Sequence, residues 1–64
     1  MLAPEQQALL VAAFPHGPRP SGDQTAEQAT EFAVVGVQHI CALEGLAVPG
    51  EADVRIALHE TTQP

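Results

Sequence analysis

The sequence has little basic charge, because its only basic side chains are those of Arg19 and Arg55. Eight acidic residues oppose them, so that the formal net charge of the 64 residues is −6. A protein that binds DNA or RNA neutralises phosphates with several lysine or arginine side chains. Anionic membrane surfaces attract the same side chains. We therefore expect no direct nucleic-acid partner and no membrane partner.

The sequence is also poor in cysteine and aromatic residues, which limits how so short a chain is stabilised. Cys41 is the only cysteine, and Phe14 and Phe32 are the only aromatic residues. A single cysteine excludes an intrachain disulfide. A domain of about 60 residues buries only roughly 60% of its surface, and ordering costs about 1.5 kcal/mol per residue. We expect one small domain (residues 1–64) that gains further burial by forming a homodimer.

Export and membrane-spanning features are also missing. The first residues, MLAPEQQALL, lack the basic leading region of a signal peptide. The most apolar run, Phe32–Cys41, contains Gln38 and His39 and is too short to span a bilayer. Together with the lone cysteine, these features predict a cytoplasmic protein.

The most informative stretch of the sequence is the central segment, residues 23–46. At about 100° per residue its apolar side chains fall within an arc of roughly 200°, which indicates a helix with a wide apolar face. Ser21 or Asp23 is expected to cap its start, and Gly45 is expected to end it. A face this wide needs more cover than short neighbours give, so we predict that it forms the homodimer interface. The predicted interface residues are Ala26, Ala29, Phe32, Ala33, Gly36, Val37, Ile40 and Leu43.

Shorter elements flank the central segment. Pro4–Phe14 is predicted to form a helix, with Pro4 in the first turn. The stretch Pro15–Gly22 contains three prolines and two glycines and is expected to be a linker. Glu51–Thr61 has acids at its start and an i, i+4 apolar pair, which favours a third helix. The predicted fold is therefore all-α: a helical hairpin-type domain with a short C-terminal helix, assembled as a dimer.

An α+β fold is the alternative. Val54, Ile56 and Leu58 alternate with other residues in the manner of a strand at 54–58. The β-branched residues within Phe32–Cys41 would allow a second strand there.

Candidate chemical groups are few and scattered. Cys41 falls on the apolar arc, where a buried thiol is the common outcome. His39 lies two positions from Cys41, so on a helix the two side chains point in different directions. We expect no enzymatic activity, no cofactor and no resident metal. The only weak metal candidates are His39, Glu44 and His59, which a dimer would have to bring together.

Three functional hypotheses follow from these observations. The first is an acidic, non-enzymatic interaction module that homodimerises through the central helix and binds or regulates another protein. The second is an accessory subunit or metal-binding protein with a His/Glu site at a subunit interface. The third is an acidic inhibitor that imitates nucleic acid. Its expected contacts are Glu27, Glu31, Glu51 and Asp53.

Overall fold

In the computed structural model, the described residues 1–62 form a small bundle of three helices. They are α1 (Pro4–Ala13), α2 (Ala26–Leu43) and α3 (Glu51–Thr62). The all-α prediction is confirmed. The α+β alternative is not supported, because residues 32–41 and 54–58 are both helical. The last two residues of the predicted domain lie outside the described part of the chain.

Helix α1 begins at Pro4, as predicted, and ends one residue before the expected Phe14. At its start the Ala3 backbone N–H donates to the side-chain Oε1 of Gln6 at 2.8 Å. The Gln6 amide nitrogen in turn donates to the Ala47 carbonyl at 2.7 Å. One side chain therefore caps α1 and ties it to the segment that follows α2.

Helix α2 begins three residues later than predicted. The hydroxyl of Thr25 accepts from the Gln28 backbone N–H at 3.1 Å, and the Thr25 N–H donates to the Gln28 side chain at 2.8 Å. This reciprocal pair is a capping box. Ser21 and Asp23 are therefore not the caps. The Ser21 N–H instead donates to the side chain of Gln24, within a turn that precedes the helix.

Helix α2 ends at Leu43, and Gly45 supplies the stop that the sequence predicted. Gly45 has a φ of +75°. Its N–H donates to the Ala42 carbonyl, and the Leu46 N–H donates to the Cys41 carbonyl. These two bonds form a Schellman motif, in which glycine takes the left-handed conformation at lowest cost. Leu46 then turns back and packs against the core.

Both short helices run antiparallel to α2. At one end of α1, Gln6 bonds to Ala47, and at the other end Phe14 lies near Gly36. For α3, the Gln38 side chain donates to the Pro49 carbonyl at 3.0 Å just before the helix begins. One turn into α3, Arg55 reaches back towards the start of α2. Helices α1 and α3 therefore run in the same direction, and α2 packs against both in the opposite direction.

The core is the place where one face of α2 meets α1 and α3, and we call this side of α2 its inner face. The inner face consists of Ala29, Ala33, Val34, Val37 and Cys41, all of which are buried. Leu10 of α1 and Val54, Ala57 and Leu58 of α3 complete the core. Alanines at contact positions let the helix axes come close together. Four half-buried residues pack around its edge: Leu2, Leu9, Phe14 and Leu46.

Residues 14–25 cross from the end of α1 to the start of α2 as turns and extended backbone. Gly17 is buried here with a φ of +79°, against the side chain of Thr62 at the end of α3. A Cβ at this position would collide with the Thr62 side chain. Glycine therefore allows this segment to pass close to the end of α3.

The core position of Leu10 gives the first prediction. Its side chain is fully buried between the helices. Leu10→Ala is expected to lower the free energy of unfolding by about 2–5 kcal/mol, because it leaves a cavity as well as removing apolar burial. Urea denaturation followed by circular dichroism measures the change. Val48→Ala, at a site that is 58% exposed, is the control and is expected to have a much smaller effect.

Candidate interaction surface

The surface most distinctive in this protein is the side of α2 that faces away from the core. We call it the outer face and define it by Gln28, Phe32, Val35, His39, Ala42 and Leu43. The first five positions recur at intervals of four and three, and all six fall within roughly 100° of the helix circumference. All six residues are exposed. Neither α1 nor α3 packs against this side.

Apolar side chains dominate this face. Phe32 is 68% exposed, Val35 62% and Leu43 71%. With about 150–200 Å² for each whole side chain, these three alone present roughly 350 Å² of apolar surface. The outward side of a helix in a small soluble domain ordinarily carries polar side chains. A patch of roughly this size is the largest apolar patch on many monomeric proteins, and such patches often have a binding function.

The outer face has a polar edge on the side of α3, which we call the α3 edge. Glu31, Gln38, Glu51 and Arg55 line the groove between α2 and α3 at this edge, with Val35 at its margin. Arg55 is held in place by two carboxylates. Its guanidinium donates to both oxygens of Glu27 at 2.8 and 3.2 Å and to Glu51 at 2.8 Å.

These contacts shift the protonation equilibria of the partners. The hydrogen bonds from Arg55 hold the pKa of Glu27 below its usual value of 4.5. Hydrogen bonds to Glu27 and then to Glu51 raise the pKa of Arg55. The bidentate Glu27–Arg55 pair joins the first turn of α2 to the middle of α3. It fixes the position of the α3 edge relative to the core.

The opposite edge, on the side of α1, is apolar, and we call it the α1 edge. A Cβ placed on Gly36 would lie 3.7 Å from the ring of Phe14, so this glycine marks where the end of α1 meets α2. On the same side of α2, Phe32 lies about one turn before Gly36 and Leu43 about two turns after it. Carboxylates of α2 thus lie along the α3 edge, and large apolar side chains lie along the α1 edge.

The predicted interface residues divide between the two sides of the helix. Ala29, Ala33 and Val37 belong to the chain's own core. Ala26, Phe32 and Leu43 are exposed, and Gly36 and Ile40 are half-buried. The predicted arc of 200° thus covers the inner face and the α1 edge together. Val35 is not among the predicted interface residues, because it lies among polar positions on the helical wheel. The sequence signal that could have identified Val35 is its helical spacing, three residues after Phe32 and four before His39.

The structure does not group the three weak metal candidates within one chain. His39 is on the outer face, and Glu44 lies just past the end of α2 beside Leu9 and Leu46. His59 lines a groove at the other end of α2, with Ala26 and Thr30 among its neighbours. Thr30 and His39 are nine positions apart along α2, or about 14 Å. Throughout residues 1–62, no three His, Cys, Asp or Glu side chains are grouped to hold a metal ion.

The four carboxylates expected of a nucleic-acid mimic are largely engaged. Glu27 and Glu51 pair with Arg55. Asp53 pairs with the N-terminal amine of Met1 at 3.1 Å. A basic partner would have to displace these cations before it could use the carboxylates.

Comparison with models of known protein families, with curated proteins and with solved structures gave no match. In the part of the chain that the structure describes, none of the helices has the length and apolar character needed to cross a membrane. The candidate site therefore rests on the geometry described above.

The Glu27–Arg55 pair predicts a pH dependence of stability. Because the pKa of Glu27 is lowered in the folded state, its contribution is complete above the unfolded value near 4.5. That contribution disappears as the pH falls through the folded pKa. The difference in urea unfolding between the natural chain and Glu27→Gln should therefore be constant around pH 7 and should shrink as the pH falls below 4.5. Glu60→Gln controls for the loss of one negative charge, and a difference that does not shrink below pH 4.5 would contradict the assignment.

Proposed function

We propose that this protein is a small acidic, non-enzymatic interaction module that homodimerises through α2 and binds a partner protein. One observation carries the proposal: α2 buries an apolar face in the core and exposes a second apolar face, centred on Phe32, Val35 and Leu43. The thiol of Cys41 is fully buried and lies out of reach of a substrate. These features support an adaptor more than a catalyst.

The area of the outer face is compatible with a dimer of modest affinity. Two copies would together bury roughly 700 Å² of apolar side-chain surface. Stable specific interfaces bury about 1,200–2,000 Å² in total, polar surface included, and part of the apolar gain offsets the lost freedom of motion. We therefore expect a weak dimer whose population depends on protein concentration.

A second copy of the chain is favoured as the occupant of the outer face because this face, the seam of the proposed dimer, is nearly uncharged. The outer face contains Gln28 and His39 as its only polar side chains. The nearest carboxylate, Glu31, lies on the α3 edge. Two chains of net charge −6 repel each other, but this repulsion acts between surfaces away from the seam and is screened by salt.

The remaining surface supports a partner of basic character. A groove between the start of α1 and the end of α2 has Leu9 and Leu46 in its floor and Glu5 and Glu44 at its rim. An apolar side chain flanked by lysine or arginine fits this combination of surface and charge. Binding of such a partner would weaken as salt increases, whereas self-association would not.

Loss of the apolar side chains is expected to separate the dimer. At high protein concentration the natural chain should have twice the chain mass of 6.7 kDa by light scattering. The double variant Phe32→Ser/Leu43→Ser should have the mass of one chain, because serine removes the apolar contact and keeps the helix. Its circular dichroism should remain that of the natural chain.

A matched control comes from α3. Ile56 is 60% exposed, similar to Val35, but it lies on a different helix and outside the outer face. Ile56→Ser should leave the dimer intact. A natural chain that stays monomeric at all concentrations would contradict the proposed self-association, and so would dissociation by Ile56→Ser alone.

Salt provides an independent prediction. Added sodium chloride screens the repulsion between two acidic chains, so the dissociation constant of the dimer should fall between low and high salt. Analytical ultracentrifugation over a dilution series measures it. A dissociation constant that rises with salt would indicate an interface held by ion pairs and would contradict an apolar seam.

A further inference from the structure

We propose that the two copies pack with their α2 helices antiparallel, related by a two-fold axis that passes at the level of Val37. This inference rests on the proposed dimer and specifies its orientation and register. It follows from the unequal edges of the outer face. The α3 edge carries Glu31, and the α1 edge carries Phe32 and Leu43. Phe32 and Leu43 lie within about 20° of each other around the helix, and Glu31 lies about 100° from Phe32.

Symmetry decides which edges meet. When two identical helices pack antiparallel, the two-fold axis runs across them and brings each edge against the same edge of the second copy. When they pack parallel, the axis runs along them, and each edge meets the opposite edge of the second copy. An antiparallel dimer therefore joins α1 edge to α1 edge. A parallel dimer joins the α1 edge to the α3 edge.

The parallel arrangement is unfavourable at Phe32. Residues at the same level face each other in a parallel pair, so Phe32 would lie against Glu31 of the second copy. This contact removes water from a carboxylate beside a phenyl ring and supplies no cation in return. The two imidazoles of His39 would also meet across the seam.

The antiparallel arrangement places compatible side chains together. With the axis at the level of Val37, Phe32 lies beside Leu43 of the second copy along the α1 edge, and this contact occurs twice. Along the α3 edge, Glu31 lies opposite the small side chain of Ala42, so the carboxylate keeps its access to water. Val35 then lies opposite His39.

The register follows from the distribution of the large apolar side chains. Phe32 and Leu43 are the first and the last large apolar side chains along the outer face. An axis midway between them superimposes the apolar stretch of one copy on that of the other. If the axis lay two residues nearer the start of α2, Leu43 would pass beyond Phe32 of the second copy to the level of Gln28, and the apolar contact along the α1 edge would be lost.

Cysteine cross-linking tests the orientation directly. The natural Cys41 is fully buried, so the natural chain is a suitable background and should itself give no cross-link. A disulfide needs Cα atoms within about 7 Å. In the antiparallel dimer, the two Gln28 positions are about 27 Å apart along the axis. In a parallel dimer they are adjacent. Gln28→Cys keeps the backbone N–H that Thr25 caps but removes the side chain that accepts from the Thr25 N–H, so circular dichroism checks that the helix content is unchanged.

The experiment uses three single variants, Gln28→Cys, Val35→Cys and His39→Cys, with the dimer first verified by light scattering under reducing conditions. After mild oxidation, mass spectrometry identifies the linked pairs. We expect a mixture of Val35→Cys and His39→Cys chains to form the mixed disulfide above the share given by random pairing. We expect Gln28→Cys to remain unlinked.

The possible outcomes separate the two proposals. Efficient linkage of Gln28→Cys to itself would overturn the antiparallel orientation and leave the dimer standing. A dimer that gives neither linkage would overturn the seam and register. A chain that is monomeric by light scattering would remove the proposed dimer itself, and the orientation with it.

Discussion

The structure depends on the burial of the inner face of α2 against two short helices. Ala33, Val37 and Cys41 lie along this face at helical spacing, and each is almost completely removed from water. Isolated helices of ten or twelve residues are marginal in water, so α1 and α3 owe much of their stability to this contact. The hydrogen bonds of Gln6 and Gln38 and the ion pairs of Arg55 then fix how each short helix lies on α2.

The same helix has a second apolar face, and this is the origin of the proposed function. Among the described residues two short helices pack on α2, and they cover one side of it. The apolar side chains on the other side remain in contact with water. In a protein with so few large core residues, such exposure has a cost in solubility that a binding function would offset. Self-association is the simplest way in which a small domain increases its buried area.

The fold was largely predictable from the sequence because its signals are local. Pro4 at the start of α1 and Gly45 after α2 act within one turn of the helix. The start of α2 was predicted wrongly because two candidate boxes, Ser21 with Gln24 and Thr25 with Gln28, have the same spacing. Only the second one lies next to continuous helix. The interface residues were harder to predict. A wheel gives the width of an apolar arc, but it does not say which part the chain's own helices cover. Ala29, Ala33 and Val37 therefore appeared equivalent to Phe32 and Leu43.

The most direct test of the central claim is a dilution series of two-dimensional ¹H–¹⁵N NMR spectra of the natural chain. If the outer face of α2 is the seam between two copies, chemical shifts should change with concentration at Phe32, Val35, His39 and Leu43. The amides of Leu10, Val54 and Leu58 in the core should stay constant. Spectra that do not change with dilution would contradict the account, as would changes centred on the exposed side of α3.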